Sequence, residues 1–172
     1  MKNNRLPNEF FQRDVLQVAP EMLGKILVRK FSNGTTERFA ITEVEAYSGN
    51  GDRACHASRG ETPRTEVMFR EGGLVYVYLV YGIHWLLNIV TGNQGDASAV
   101  LIRGIEGVPG PGRVGKKLQL DKSFYGEDLA DSTRIWIEDA DSTIQYKTAP
   151  RVGVDYAGKH WASKPWRFIL TD

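Results

Sequence analysis

Cysteine is almost absent from this sequence, since Cys55 is the only one among 172 residues. An internal disulfide and a cysteine-rich zinc site are therefore excluded, and a reducing compartment is the expected environment. Neither the Cys-x-x-Cys nor the His-x-Glu spacing of a zinc deaminase occurs. This absence disfavours metal-dependent hydrolysis, and we expect no metal site.

An excess of charge of either sign is also lacking, because 22 Lys and Arg residues face 21 Asp and Glu residues. Binding to nucleic acid would therefore depend on local basic patches and not on a field around the whole molecule. One basic segment, nearly cancelled by neighbouring acids, contains Arg53, Arg59, Arg64 and Arg70. A second, opposed only by Asp155, contains Arg151, Lys159, Lys164 and Arg167.

Long hydrophobic runs are limited to residues 74–90, which carry no formal charge and approach the length of a membrane span. Gly82, His84, Asn88 and several tyrosines favour two strands joined by a turn instead. The first seven residues lack the apolar core of a secretion signal. We expect an intracellular protein without a membrane segment.

The chain has no repeat, low-complexity tract or obvious linker, so residues 1–172 are expected to form one domain. Short helical turns are predicted over residues 8–23, with Pro20 opening the second, and a helix is predicted from the Gly-Pro-rich turn at 107–113 through Leu118. Asn33-Gly34 predicts a two-residue hairpin loop. Strands are predicted over residues 25–31, 38–47, 74–81, 85–91, 99–106, 134–138 and 166–170. This irregular order predicts an α+β domain with a mixed, mostly antiparallel, curved sheet, short surrounding helices and a protruding β-hairpin.

A carboxylate pair on the second strand is the first candidate for chemistry. The two-residue period of a strand places Glu43, Glu45 and Tyr47 on one face. If that face is half-buried, desolvation and a like charge raise the pKa of one carboxylate, which is then suited to deprotonate a water. The ordinary alternative is a solvated, outward-pointing glutamate.

Aromatic residues follow in the predicted hairpin. Tyr76 and Tyr78 share a face, where they either pack in the core or stack on a planar ligand. Tyr81 precedes Gly82 at the turn, and a projecting ring there could wedge between stacked bases. Asn88 lies in an otherwise apolar strand and needs a partner if buried, either a ligand base edge or a backbone group.

Taken in order along nearly the whole chain, these motifs resemble the alkyladenine (3-methyladenine) DNA glycosylase family, of the kind related to the human enzyme. The segments that carry the resemblance include Glu43-Val44-Glu45-Ala46-Tyr47, His56-Ala57-Ser58-Arg59-Gly60, Tyr76-Val77-Tyr78, Val100-Leu101-Ile102-Arg103, Arg151-Val152-Gly153-Val154 and Lys164-Pro165-Trp166-Arg167-Phe168. Each segment alone is commonplace, whereas the ordered series is specific.

The resemblance implies a monomeric base excision repair enzyme that needs no metal or cofactor. Its partner would be double-stranded DNA containing damaged purines of the 3-methyladenine, 7-methylguanine, hypoxanthine and ethenoadenine class. The enzyme would flip such a purine out of the duplex, hydrolyse its N-glycosidic bond and leave an abasic site. By the same resemblance, Glu45 would activate the attacking water, and Arg103 would hold Glu45 and the water in place.

The remaining roles are also implied by the resemblance. Tyr47, His56, Tyr78 and Asn88 would form the base pocket, and Tyr81 would fill the gap left by the flipped base. Contacts to DNA would come from Ile83, His84, Arg59, Arg64, Arg151, Gly153 and Lys164. Ile83 and His84 depart from the family pattern, which has a methionine and a tyrosine at the hairpin.

Two other functions fit parts of the sequence. A DNA-binding module without catalysis would use the C-terminal basic segment and the Gly-Pro-Gly turn, but leaves Glu45 without a purpose. A hydrolase of free nucleosides would need neither basic surface nor a projecting Tyr81. Release of base from duplex DNA, compared with release from free nucleoside, separates the three.

Overall fold

A computed structural model describes residues 4–171 of the chain. The predicted domain span of 1–172 includes residues 1–3 and 172, which lie outside the described residues, as does the start of the segment considered for a secretion signal. The strands in the described range are β1 Ile26–Lys30, β2 Thr36–Tyr47, β3 Val75–Val80, β4 His84–Thr91, β5 Ser98–Ile105, β6 Val108–Pro109, β7 Ile135–Glu138, β8 Gln145–Ala149 and β9 Arg167–Thr171. The α-helices are α1 Asn8–Phe11, α2 Val15–Met22, α3 Pro111–Lys117 and α4 Lys159–Ala162.

The strands form one open sheet in the order β3-β4-β5-β2-β1-β7, and every pairing between these strands is antiparallel. β6 pairs with β5, while β9 pairs with β2 over Glu43–Glu45 and with β8. The predicted α+β class, as a single domain with a mostly antiparallel sheet and few short helices, is confirmed. The long strand β2 therefore lies near the middle of the sheet, between β1 and β9 on one side and β5 on the other.

Two local predictions at chain turns were wrong. Pro20 lies inside α2 and does not open it; the helix starts after Asp14, whose side chain accepts a hydrogen bond from the Leu16 amide at 2.8 Å. The hairpin between β1 and β2 exists, but its loop is longer than Asn33-Gly34. The amide of Phe31 donates to the carbonyl of Thr35, and Gly34 takes a left-handed φ of 88° within the longer turn.

Helix packing covers one face of the sheet. α2 buries Val15, Val18, Ala19 and Met22, the i, i+3, i+4, i+7 stripe of an amphipathic helix. α3 packs on β4, where a Cβ on Gly115 would lie only 1.9 Å from the carbonyl oxygen of Trp85. A glycine is therefore required for α3 to approach the strand that carries the hairpin.

The opposite face of the sheet carries a second, smaller buried cluster. It includes Cys55, Met68 and Tyr76, with Tyr47 and Tyr78 packed at its edge. The segment that ends in the 3₁₀ turn His56–Arg59 closes over this cluster. Within residues 4–171, no helix has the length and apolar character that crossing a bilayer requires.

Candidate active site

A cavity of about 250 Å³ lies between this second face of the sheet and two loop segments. One segment contains His56; the other follows Arg151. The side chains and backbone that line it belong to Glu45, Tyr47, His56, Met68, Tyr76, Tyr78, Val80, Leu86, Asn88, Ala99, Leu101, Arg103, Val152, Gly153, Val154 and Tyr156. The structure thus brings together all six residues predicted for catalysis and base binding.

Glu45 lies at the floor of the cavity with 0% of its surface exposed. An irregularity in the β2–β5 register, between Ile41 and Val44, precedes it. The hydroxyl of Tyr47 donates to Oε1 of Glu45 at 2.8 Å, and the backbone amide of Val152 donates to Oε2 at 2.6 Å. Both carboxylate oxygens are therefore held in place from different segments of the chain.

Burial raises the pKa of Glu45 above its ordinary value. The nearby guanidinium of Arg103, the Val152 amide, the Tyr47 hydroxyl and the charge of Arg151 all oppose this rise. Of the two predicted causes of a raised pKa, desolvation is present, whereas the like charge of Glu43 is not among the causes. A desolvated carboxylate whose ionised form is nevertheless supported by several donors is suited to act as a base.

A chain of alternating charges links this carboxylate to the surface. Nη1 of Arg103 lies 3.7 Å from Glu45, and its Nε lies 3.4 Å from Oε1 of Glu43. The same oxygen of Glu43 accepts a hydrogen bond from Arg167 at 3.0 Å. Arg103 is therefore oriented toward Glu45 by Glu43, as its predicted holding role requires.

Aromatic rings form the walls of the cavity. The rings of His56 and Tyr78 meet edge to face, with centroids 4.6 Å apart. Burial raises the pKa of both Tyr47 and Tyr78, so both hydroxyls remain protonated at neutral pH. These walls are uncharged, flat and apolar, which suits a planar heterocycle.

His56 is a neutral part of that wall. Burial, with a smaller contribution from the charge of Arg64, lowers the pKa of His56 to about 4. Its Nδ1 lies 3.1 Å from the hydroxyl of Tyr76, which is itself buried. The imidazole is therefore uncharged near neutral pH and does not repel a cationic ligand.

Asn88 places a polar group in the same cavity. The residue is 4% exposed, and its Nδ2 has no hydrogen-bond partner among residues 4–171. An unsatisfied buried donor is unfavourable unless a ligand or water accepts its hydrogen bond. Of the two partners predicted from the sequence, the structure shows no backbone acceptor for this nitrogen among the described residues, and a contact with a ligand stays a prediction.

The tip of the β3–β4 hairpin projects beside the cavity. Tyr81 is 89% exposed and has a left-handed φ of 54°, and Ile83 is 71% exposed. His84 is half-buried and lies against Gly112 at the start of α3. The predicted projecting tyrosine is confirmed, while its contact with DNA stays a prediction.

The other residues predicted to contact DNA divide into two groups. Arg59 and Arg64 are exposed, with Arg64 5.1 Å from the Tyr78 ring centre, and Lys164 lies beside the Trp161 and Trp166 rings. Gly153 is exposed and lines the cavity with a φ of 73°.

Arg151 differs from these exposed or cavity-lining residues, because its side chain is buried and forms a bidentate ion pair with Asp52. Its guanidinium is not available to a phosphate, which corrects the assignment of Arg151 to a solvated basic face.

Sequence reasoning missed three contributors to the site. The amide of Val152 carries no side-chain signature, so only the fold reveals its bond to Glu45. Tyr156 lines the cavity and donates from its hydroxyl to the Ala54 carbonyl at 2.8 Å. Asp52 does not line the cavity itself, but its buried carboxylate pairs with Arg151, a contact that the sequence pattern does not indicate. Within the described part of the chain, no group of three or more His, Cys, Asp or Glu side chains is placed to hold a metal ion.

Comparison with known proteins identifies the family of the chain. The profile of the family "Methylpurine-DNA glycosylase (MPG)" matches residues 9–109 and 107–172. A protein of Psychrobacter cryohalolentis is 39% identical, covering 95% of this chain and 90% of the relative. One of Legionella pneumophila strain Corby is 42% identical (98% and 95% covered), and one of a Wolbachia from Brugia malayi is 43% identical (99% of each). All three carry the provisional name 3-methyladenine DNA glycosylase.

The site thus combines a buried carboxylate with an aromatic-walled cavity on an antiparallel α+β scaffold. The chain belongs to the methylpurine-DNA glycosylase family. Membership of this family indicates a DNA glycosylase that acts in DNA repair on alkylated bases.

Proposed function

We propose that this protein, acting as a monomer, flips alkylated or deaminated purines out of duplex DNA and hydrolyses their N-glycosidic bond. The observation that carries the proposal is Glu45, buried and doubly hydrogen-bonded at the floor of a cavity with aromatic walls. A carboxylate is rarely buried without a partner or a purpose. Its position below a slot for a planar ring fits water activation at the sugar carbon.

The proposed reaction begins with the charge of the lesion. An N-alkylated purine is cationic, so the bond from its nitrogen to the anomeric carbon is already weakened. As that bond breaks, its electron pair moves onto the purine and neutralises it, and the sugar gains oxocarbenium character. Glu45 stabilises this positive charge and accepts the proton of the water whose oxygen bonds to the anomeric carbon. The products are a free purine and an abasic site.

The aromatic walls favour a cationic base over a neutral one. The faces of tyrosine rings attract cations, and Tyr47 and Tyr78 line the cavity with a neutral His56. We therefore rank 3-methyladenine and 7-methylguanine above hypoxanthine and ethenoadenine, because a neutral purine must gain a proton before it leaves. The donor nitrogen of Asn88 would face the edge of the bound base.

Binding and flipping are assigned to the rim of the cavity. Tyr81 would enter the base stack, with Ile83 and His84 beside it. Arg59, Arg64 and Lys164 would contact phosphates, and the Gly153 backbone would approach the flipped nucleotide. Flipping costs a few kcal/mol and is least costly at damaged base pairs, so selection of the lesion would begin before the cavity is filled.

The deciding experiment uses duplexes that each carry one defined lesion, with strand scission at abasic sites as the readout. We expect scission with the 7-methylguanine duplex and none with undamaged DNA. With the free nucleoside, where release of the base is measured directly, we expect no release above the uncatalysed rate. Binding without any abasic site would instead indicate a DNA-binding module. Equal release from the free nucleoside would indicate a nucleoside hydrolase.

A further inference from the structure

The reaction proposed above does not use the Asp52–Arg151 ion pair, although it is the most deeply buried charge pair described. Both side chains are 0% exposed. Nη1 of Arg151 lies 2.6 Å from Oδ2 of Asp52, and Nη2 lies 3.0 Å from Oδ1, so the ion pair is bidentate. A buried ion pair is weak evidence for stability, since desolvation offsets much of the attraction. Its position suggests another role.

The pair joins the segments that surround Glu45. Nη1 of Arg151 also donates to the carbonyl of Ala46, the residue between Glu45 and Tyr47, at 3.0 Å. The guanidinium lies 4.9 Å from the ring centre of Tyr47. The next residue along the chain, Val152, donates its amide hydrogen to Oε2 of Glu45.

Asp52 connects the loop that carries His56, on the other wall of the cavity, to Arg151. Its carboxylate accepts hydrogen bonds from the amides of Ser48 at 3.1 Å and Ala54 at 3.0 Å. These bonds fold the loop that leads directly into His56. The guanidinium of Arg151 further donates to the carbonyl of Trp161 at 3.1 Å, which ties in the segment after the cavity.

We propose that Asp52 and Arg151 form a positioning pair for excision: they hold the Val152 amide against Glu45 and keep the His56 loop at its distance from Tyr47. Neither residue touches the base or the sugar. This inference rests on the proposed function, because it assigns the pair to the geometry of the water-activating carboxylate. Misplacement by about 1 Å costs about a hundredfold in rate, so the pair would act on the chemical step.

The charge of Arg151 also acts on Glu45 directly. Together with Arg103 and the Val152 amide, it opposes the rise of the Glu45 pKa that burial causes. Within residues 4–171, the other charged or titratable groups around Glu45 are Glu43 and Tyr47 on its own strand, Arg103 on β5, Arg167 on β9 through Glu43, Tyr78 on β3, Tyr156 in the loop after Val152 and His56 in the cavity wall. Loss of the Arg151 charge therefore raises the pKa of Glu45 further, whereas loss of the Asp52 charge does not.

The test compares Arg151→Gln, Arg151→Lys and Asp52→Asn as full-length proteins. Single-turnover excision of 7-methylguanine from a duplex is measured across the acid-to-neutral range, because this cationic base leaves without an added proton. We expect all three variants to lose about a hundredfold in rate with little change in duplex affinity. Only Arg151→Gln should shift the acid limb of the profile to higher pH.

Glu127→Gln is the matched control, because it breaks the Glu127–Arg134 pair, neither member of which lines the cavity. It should lower the melting temperature yet leave rate and profile unchanged. A wild-type rate in Arg151→Lys or in Asp52→Asn overturns the positioning role. Equal acid limbs in Arg151→Gln and Asp52→Asn overturn the direct effect of the Arg151 charge on Glu45. If Arg151→Gln does not fold, the rates of Arg151→Lys and Asp52→Asn decide. An inactive wild type, or an active Glu45→Gln, counts instead against the proposed function.

Discussion

The floor of the cavity and the tip of the β3–β4 hairpin differ in burial and in the number of contacts that their side chains make within the protein. At the floor, Glu45 is fully buried and its carboxylate has partners from three segments of the chain. At the tip, Tyr81 and Ile83 are 89% and 71% exposed. Tyr81 also holds a left-handed conformation, which costs a non-glycine residue about 1–3 kcal/mol.

The difference indicates which part of the site is complete before DNA arrives. Groups that stabilise a transition state act best when they are already oriented and need no rearrangement, as at the floor. The wedge role proposed for Tyr81 would leave its ring without a partner inside the protein, because the partner in that proposal is the DNA. One hairpin connects the cavity to the tip. Its strands β3 and β4 carry Tyr78 and Asn88 in the cavity wall, and the turn between them carries Tyr81.

The largest expected effect is at the floor. Glu45→Gln should lower single-turnover excision by about a thousandfold, within the range for loss of a general base, and leave affinity for a 7-methylguanine duplex unchanged. Glu43→Gln makes the same chemical change two residues away and should cost much less, because Glu43 acts through Arg103. Comparable losses in both variants would remove the distinction between Glu45 as base and Glu43 as support.

An intermediate effect is expected at the tip. Tyr81→Ser should reduce the fraction of flipped ethenoadenine, read from its fluorescence, because one stacking contact is worth about 1–3 kcal/mol. The melting temperature should not change, since the ring contacts solvent. Ile83→Ser provides the control at the same turn and should have a smaller effect. Unchanged fluorescence in Tyr81→Ser would reject the wedge.

The smallest expected effect is on stability: Glu45→Gln, which should lose activity, should gain thermal stability. Burial raises the folded-state pKa of Glu45. Its contribution to stability is therefore fully present below the unfolded pKa and is lost as pH rises through the folded value. Glu45→Gln stays neutral, so it should melt at a higher temperature than wild type at neutral pH. The gain should shrink as the pH falls toward 4.5, the ordinary pKa of a glutamate. Glu71→Gln, at an exposed position, is the control and should show no such gain in melting temperature. A gain in Glu45→Gln that does not depend on pH would contradict the electrostatic cause.

The local pattern of apolar residues was enough to predict most of the strands. The strands around Glu45, Tyr78 and Asn88 were predicted close to their observed bounds, because alternating apolar residues mark one buried face. The strand β8 was missed, since its residues are mostly exposed and carry no apolar alternation. Pro20 was misplaced because the cap at Asp14 lies further upstream than the proline suggests.

The order of motifs along the chain was sufficient to determine the family, and the resemblance to that family singled out Glu45 and Tyr81. The two-residue period of a strand by itself only placed Glu43, Glu45 and Tyr47 on one face. Only the tertiary structure decided what surrounds the Glu45 carboxylate. A backbone amide from Val152 and a charge pair from Asp52 and Arg151 meet beside Glu45 across roughly a hundred residues of chain. Contacts of that separation arise from how the sheet and loops pack, so a basic residue predicted for the surface turned out to be buried beside the active site.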